Sequence, residues 1–218
     1  MLGPFLTAFD WFGVAVFAVT GALVASRKQM DIFGFMLLGA ATGMGGGSLR
    51  DVMLGELPVF WVREPVYLGI CVVVSAATFF LAHIPESRYR ALLWLDAAGL
   101  ALFCVVGADK ALAAGANAFI AVAMGVVTCT IGGVVRDVLG GESPLMLRKE
   151  IYVTAALAGA VTFVAASKLG APAVVAASAG FAVCFVIRAL AITYHWSLPV
   201  YRARAGRSAE DVEKLKRD

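Results

Sequence analysis

The sequence predicts an all-α membrane protein with seven transmembrane helices, built as two inverted three-helix repeats plus a seventh helix. Three observations carry that expectation. First, 61% of the 218 residues are hydrophobic and 15% are charged, whereas soluble domains run near ~45–50% apolar and ~25% charged. Second, apolar stretches of helical length recur between short segments of Gly, Pro or charge. Third, the chain matches itself without a gap at an offset of 86 residues, with 20 identities between positions 10–64 and 96–150.

A helix crossing about 30 Å of hydrocarbon needs about 20 mostly apolar residues. Seven stretches qualify: 5–25, 32–49, 66–84, 91–112, 116–139, 151–167 and 171–193. Trp11, Trp61, Trp94 and Trp196 fall near their ends, where amphipathic rings favour the headgroup level. The first stretch lacks a basic region before it and recurs in mid-chain, so it reads as structure rather than a signal peptide. Cys71, Cys104, Cys129 and Cys184 stand singly in apolar runs and read as packing residues. His83 and His195 stand alone, so no metal site is expected.

Orientation follows from Lys and Arg. With seven spans, one face receives only Arg50, Arg63, Lys110 and Lys168, and the other receives the remaining 14 of the 18 basic residues. The positive-inside rule then places the N-terminus outside and the C-terminus in the cytoplasm.

The internal match pairs Asp10 with Asp96, Gly13 with Gly99, Phe17 with Phe103, Gly39 with Gly125 and Thr42 with Thr128. Its densest block pairs GGSLRDVMLGELP (46–58) with GGVVRDVLGGESP (132–144). Each copy holds three spans, an odd number, so the second copy enters the membrane from the opposite side. Such repeats surround a solute pathway near the midplane, using interrupted helices. The expected units are 1–86, 87–170, 171–200 for the last helix, and 201–218 for a solvated cytoplasmic tail.

Gly45, Gly46 and Gly47 close the second span. Each disfavours helix by about 1 kcal/mol relative to Ala, so a break is expected there, with freed carbonyls facing protein or water. Carbonyls at such a break can coordinate a cation. The competing explanation is close packing of helices through small residues. Gly132 and Gly133 repeat the pattern, while Thr42, Thr128 and Ser48 stand within a turn of the glycines. A phosphate cradle fails, because no G-K-[ST] follows and no strand precedes.

Arg50-Asp51 and Arg136-Asp137 are the repeated charges, and intramembrane charges pair or face water. They read either as charged mouths of a pathway or as ion pairs fixing a helix end. Lys110 has no repeated counterpart, since Val24 stands in its place; it either anchors at the interface or gates a pore. Asp10 and Asp96 read as helix N-caps. No Ser/His/Asp set or paired intramembrane carboxylates suggest an enzyme.

These residues resemble the prokaryotic branch of the trimeric intracellular cation channel (TRIC) family, whose members are also labelled glycine-transporter-like. The resemblance rests on GMGGGSLRDVMLGELPVFW (43–61), its copy at 132–144, and VVGADKAL (105–112), and it covers about residues 5–195. It implies a homotrimer with one K⁺- and Na⁺-conducting pore per protomer, lined by glycine-kinked second and fifth helices. It makes Gly45, Gly46 and Gly47 one kink and Gly132 and Gly133 the other, and gives Lys110 a gating role. Ile131 departs from the pattern, standing where the first copy has Gly45, which implies a gentler second kink. No cofactor is implied beyond permeant K⁺ or Na⁺ and bound lipid. A secondary transporter of a small solute such as glycine is the rival reading. If the glycines line a pathway, Gly46→Leu with Gly132→Leu is expected to block flux and leave assembly intact.

Overall fold

The computed structural model describes residues 3–84, 87–147 and 151–197. The tail lies outside the described residues, as do Arg148 and Lys149. The described chain is all-helical: α1 (Gly3–Arg27), α2 (Ile32–Leu54), α3 (Phe60–Arg63), α4 (Val66–Leu81), α5 (Arg88–Ala113), α6 (Ala118–Leu139), α7 (Val153–Lys168) and α8 (Ala173–Tyr194). A 3-10 turn, Leu145–Leu147, lies between α6 and α7. Five helices, α1, α2, α5, α6 and α8, are long and apolar enough to cross a membrane. The chain is a multi-pass membrane protein. The third and sixth expected spans form shorter apolar helices, α4 and α7, of 16 residues each. At 1.5 Å per residue they reach about 24 Å.

Local chemistry sets the helix starts. Asp31 begins α2 by accepting the Gly34 N–H at 2.8 Å, and Asn117, its counterpart in the internal match, begins α6 by accepting the Ile120 N–H at 2.9 Å. A side-chain oxygen in that position satisfies a donor the helix itself leaves open. Gly55 stops α2 in the left-handed region, at φ +73°, where a Cβ would be strained.

Four helices form a ring in which α1 packs on α2, α2 on α6, α6 on α5, and α5 back on α1. α4 covers the α1–α2 side, α7 covers the α5–α6 side, and α8 lies against α5 and α7. The ring holds reciprocal contacts. Phe17 and Phe103 meet edge to face, with centroids 5.0 Å apart; Phe103 lies against Gly13, and Phe17 lies against Gly99.

Two sequence expectations are corrected here. α2 runs unbroken through Gly45–Gly47 to Leu54, and α6 runs unbroken through Gly132-Gly133. The reason is tertiary: helix propensity is a weak bias, and here the glycines let two backbones approach. Nor are Asp10 and Asp96 N-caps. Both lie more than a full turn inside α1 and α5, buried, because each meets a cation from another helix.

Candidate functional site

The seam between α2 and α6 is built on glycine. A Cβ at Gly46 would strike the Thr128 carbonyl, and one at Gly132 would lie 2.6 Å from the Thr42 carbonyl. These are backbone atoms that no rotamer change can move away. Gly45 differs, since its Cβ would meet nothing closer than Val135, at 3.5 Å. That difference accounts for Ile131. The second copy carries a side chain where the first copy has room for one, and both copies keep glycine where there is none.

Thr42 and Thr128 donate their hydroxyls to the carbonyls of Leu38 and Met124, one turn back on their own helices, each at 2.6 Å. Ser48 likewise donates to Met44 at 2.8 Å and accepts the Trp61 indole N–H at 2.9 Å. Gly47 lies against the Phe60 ring, and Gly133 faces the Tyr152 hydroxyl.

The end of the ring that holds Asp10 gathers charges from three helices and a hydroxyl from a fourth. Lys110 of α5 reaches Asp10 of α1 at 2.5 Å, and the Tyr67 hydroxyl of α4 donates to the same carboxylate oxygen at 3.0 Å. Arg50 donates through Nε and Nη2 to Asp51 Oδ1, at 2.9 and 2.6 Å. Asp51 Oδ2 accepts the Phe60 N–H at 2.8 Å, which pins the start of α3. Both cations lie over the Phe60 ring, Lys110 at 5.3 Å and Arg50 at 5.8 Å from its centroid, within cation–π range. Arg50, Asp51, Lys110, Phe60, Arg63 and Glu64 border an open cavity of about 300 Å³.

The opposite end repeats this design with different partners. Arg136 donates to Asp137 at 2.8 Å, to Asp96 at 2.7 Å and to the Thr20 hydroxyl at 3.1 Å. Asp137 Oδ2 accepts the Leu145 N–H at 2.8 Å. Arg188, from α8, lies 5.1 Å over the Tyr152 ring and donates to the Ile151 carbonyl at 3.3 Å. Here the repeated Asp is held by the repeated Arg. At the first end Lys110 takes that Asp, and Arg50 turns to Asp51. All four Arg-Asp residues are buried, and each Arg is neutralised by its neighbour in sequence.

Arg50, Asp51, Lys110, Arg136 and Asp137 stand out in the sequence, and the fold adds Tyr67, Phe60, Thr20, Tyr152 and Arg188. A signal for the tyrosines was present. Past the repeated Pro58 and Pro144 the register slips by one, so that Asp51 takes Phe60 as Asp137 takes Leu145, and Tyr67 corresponds to Tyr152. A gapless comparison pairs Tyr67 with Val153 and hides the equivalence.

A protein-family model described as "Glycine transporter" matches residues 7–83 and 93–168. The chain belongs to this family. The two matched segments begin 86 residues apart, the offset of the internal match. Among family relatives, a "UPF0126 membrane protein" of Vibrio cholerae is 42% identical over 90% of this chain and 82% of its own length. The "UPF0126 inner membrane protein YadS" of Escherichia coli K12 is 42% identical over 88% of this chain and 94% of its own. Among solved structures, a TRIC trimeric intracellular cation channel orthologue from Rhodobacter sphaeroides is 60% identical. It superposes with a TM-score of 0.86 over 88% of this chain and 98% of that one. A second structure, described under conductance through TRIC cation channels, is 33% identical with a TM-score of 0.80, over 92% of this chain and 98% of its own.

Proposed function

We propose that this family member is a homotrimeric channel for monovalent cations, K⁺ and Na⁺, with one pathway inside each protomer between α2 and α6. The observation that carries the reading is the likeness, at 60% identity and a TM-score of 0.86, to a protein described as a trimeric cation channel. The geometry supports it, with a glycine seam at mid-depth and a charged cluster at either end.

The reading takes α4 and α7 as the third and sixth spans, which gives seven spans in an inner membrane with the N-terminus outside. The units are then 1–86, 87–170 and 171–200, followed by a cytoplasmic tail, 201–218. The reciprocal contacts of Phe17 with Phe103, and of the Gly46 and Gly132 seams, support two inverted repeats. Thr42, Gly45, Gly46, Gly47, Ser48, Thr128, Gly132 and Gly133 line the pathway, while Arg50-Asp51 and Arg136-Asp137 flank its ends. Among the described residues no acidic ring lines it, so K⁺ and Na⁺ pass with little discrimination. Surrounding lipid is the other partner.

In sealed liposomes under a K⁺ gradient, the purified protein is expected to pass K⁺ electrogenically with no coupled solute. Silence in vesicles that hold folded protein would remove the channel reading, and saturable glycine counterflow would replace it with a transporter.

Lys110 acts as the gating element at the first end. Val24 stands in its place in the other copy, and Lys110 occupies the carboxylate equivalent to the one Arg136 holds at the second end. Moving the ammonium away frees Asp10 to take Arg50, as Asp96 takes Arg136. Lys110→Ala is therefore expected to raise cation conductance or shift its voltage dependence in planar-bilayer recordings. Unaltered currents would leave Lys110 as an anchor for α5.

A further inference from the structure

We propose that Phe17 and Phe103 form an apolar gate that closes the centre of the four-helix ring between its two charged ends; the inference rests on the channel reading above. Phe17 is carried by α1 and lies against Gly99 of α5. It also reaches across to α6, where a Cβ on Gly132 would come within 2.9 Å of its ring. α1 and α6 are not neighbours in the ring, so a side chain of one that packs on the other crosses the centre. Phe103 comes from α5, the ring neighbour of α1 on its other side, lies against Gly13 of α1, and meets Phe17 edge to face at 73°. Phe17 is 1% exposed and Phe103 is 5% exposed.

Their depth matters as much as their position. Asp10 and Asp96 each precede their own copy's phenylalanine by seven residues, about 10 Å along a helix. The rings therefore stand between two polar clusters and belong to neither. The nearby hydroxyls among the described residues are committed elsewhere: that of Thr20 accepts from Arg136 at the second end, and those of Thr42 and Thr128 lie against Gly21 and Gly107 in the α1–α2 and α5–α6 seams. An ion at the rings would be stripped of water with no ligand in exchange, the physical basis of gating by dewetting. The glycines facing the rings (Gly13, Gly99 and Gly132) supply the space that closure uses. The structure thus describes a closed pathway, and conduction requires the two rings to part.

The test compares Phe17→Ala/Phe103→Ala with Phe79→Ala in K⁺-loaded liposomes, reconstituted at equal amounts of folded trimer. Phe79 belongs to another edge-to-face pair, with Phe35 at the same 5.0 Å centroid distance, but on α4 and α2, away from the ring centre. The double variant is expected to raise K⁺ flux about tenfold or more, as loss of a dewetted constriction should, with Phe79→Ala matching wild type. Should the double variant fail to assemble, Phe17→Leu alone, apolar and smaller, is expected to raise flux about threefold on the same grounds. Wild-type flux that neither the double variant nor Phe17→Leu changes would overturn the gate and leave the channel reading standing. An equal rise with Phe79→Ala would also overturn it, as a general loosening. Flux from no form at all would remove the channel reading and the gate together.

Discussion

Gly46→Ala is expected to unfold the protein well before wild type, although it adds a single methyl group. The new Cβ would collide with the Thr128 carbonyl on α6. Backbone can yield only if the two helices separate. Overpacking of a tight core costs about 1–3 kcal/mol, and an obstacle made of backbone belongs at the upper end of that range. Gly45→Ala, one residue away, is the matched control. Its Cβ would make ordinary contact with Val135 at 3.5 Å, and replacing a mid-helix glycine gains about 0.5–1 kcal/mol of helix preference. Heating both variants in detergent while following the folded peak by size exclusion should show Gly46→Ala lost early and Gly45→Ala at or above wild type. Equal melting would mean that α2 and α6 do not meet at Gly46. The same geometry revises the expectation for Gly46→Leu with Gly132→Leu: those side chains would prevent assembly before they could obstruct a pathway.

Arg136→Met should have the second large effect. Arg136 is fully buried and is the cation bound to both Asp96 and Asp137. Removing one partner of a buried ion pair costs about 3–5 kcal/mol, because the remaining charge stays out of water without compensation. Arg50→Met removes the equivalent residue and should cost less. Asp10 keeps Lys110 and Tyr67, and Asp51 keeps the Phe60 N–H. The expected order of melting temperatures is wild type, then Arg50→Met, then Arg136→Met. The reverse order would show that the two ends do not differ in the way Lys110 makes them differ.

Particular residues show how far the sequence carries. The Arg-Asp pairs were legible because two copies repeat them, and in an apolar chain a repeated charge has no other ready explanation. The helix starts at Asp31 and Asn117 were equally local, since a cap depends on a side chain and a backbone three residues on. Asp10 and Asp96 were misread as caps for the same reason: with no partner visible in sequence, the local explanation was the available one. The glycine triplet was misread as a break because propensity counts a helix as though it were alone. At Gly46 the neighbour that makes the helix worthwhile is Thr128, 82 positions away, and nothing in either segment names the other. Tyr67 and Tyr152 went unnoticed because a one-residue slip after Pro58 and Pro144 displaces them from the gapless match.

By itself, the sequence determined the class of the molecule, its duplication, and which residue types recur in both copies. Composition and periodicity are properties of the chain, and in a low-dielectric surround helices let an apolar segment pair its own polar N–H and C=O groups. Only the tertiary structure decided what the recurring residues do. It made the glycines a seam rather than a break, and gave Asp10 to Lys110 but Asp96 to Arg136. It also brought Phe17 and Phe103 together edge to face across two helices. Each of those outcomes depends on a distance between helices, a quantity set by packing that no single segment encodes.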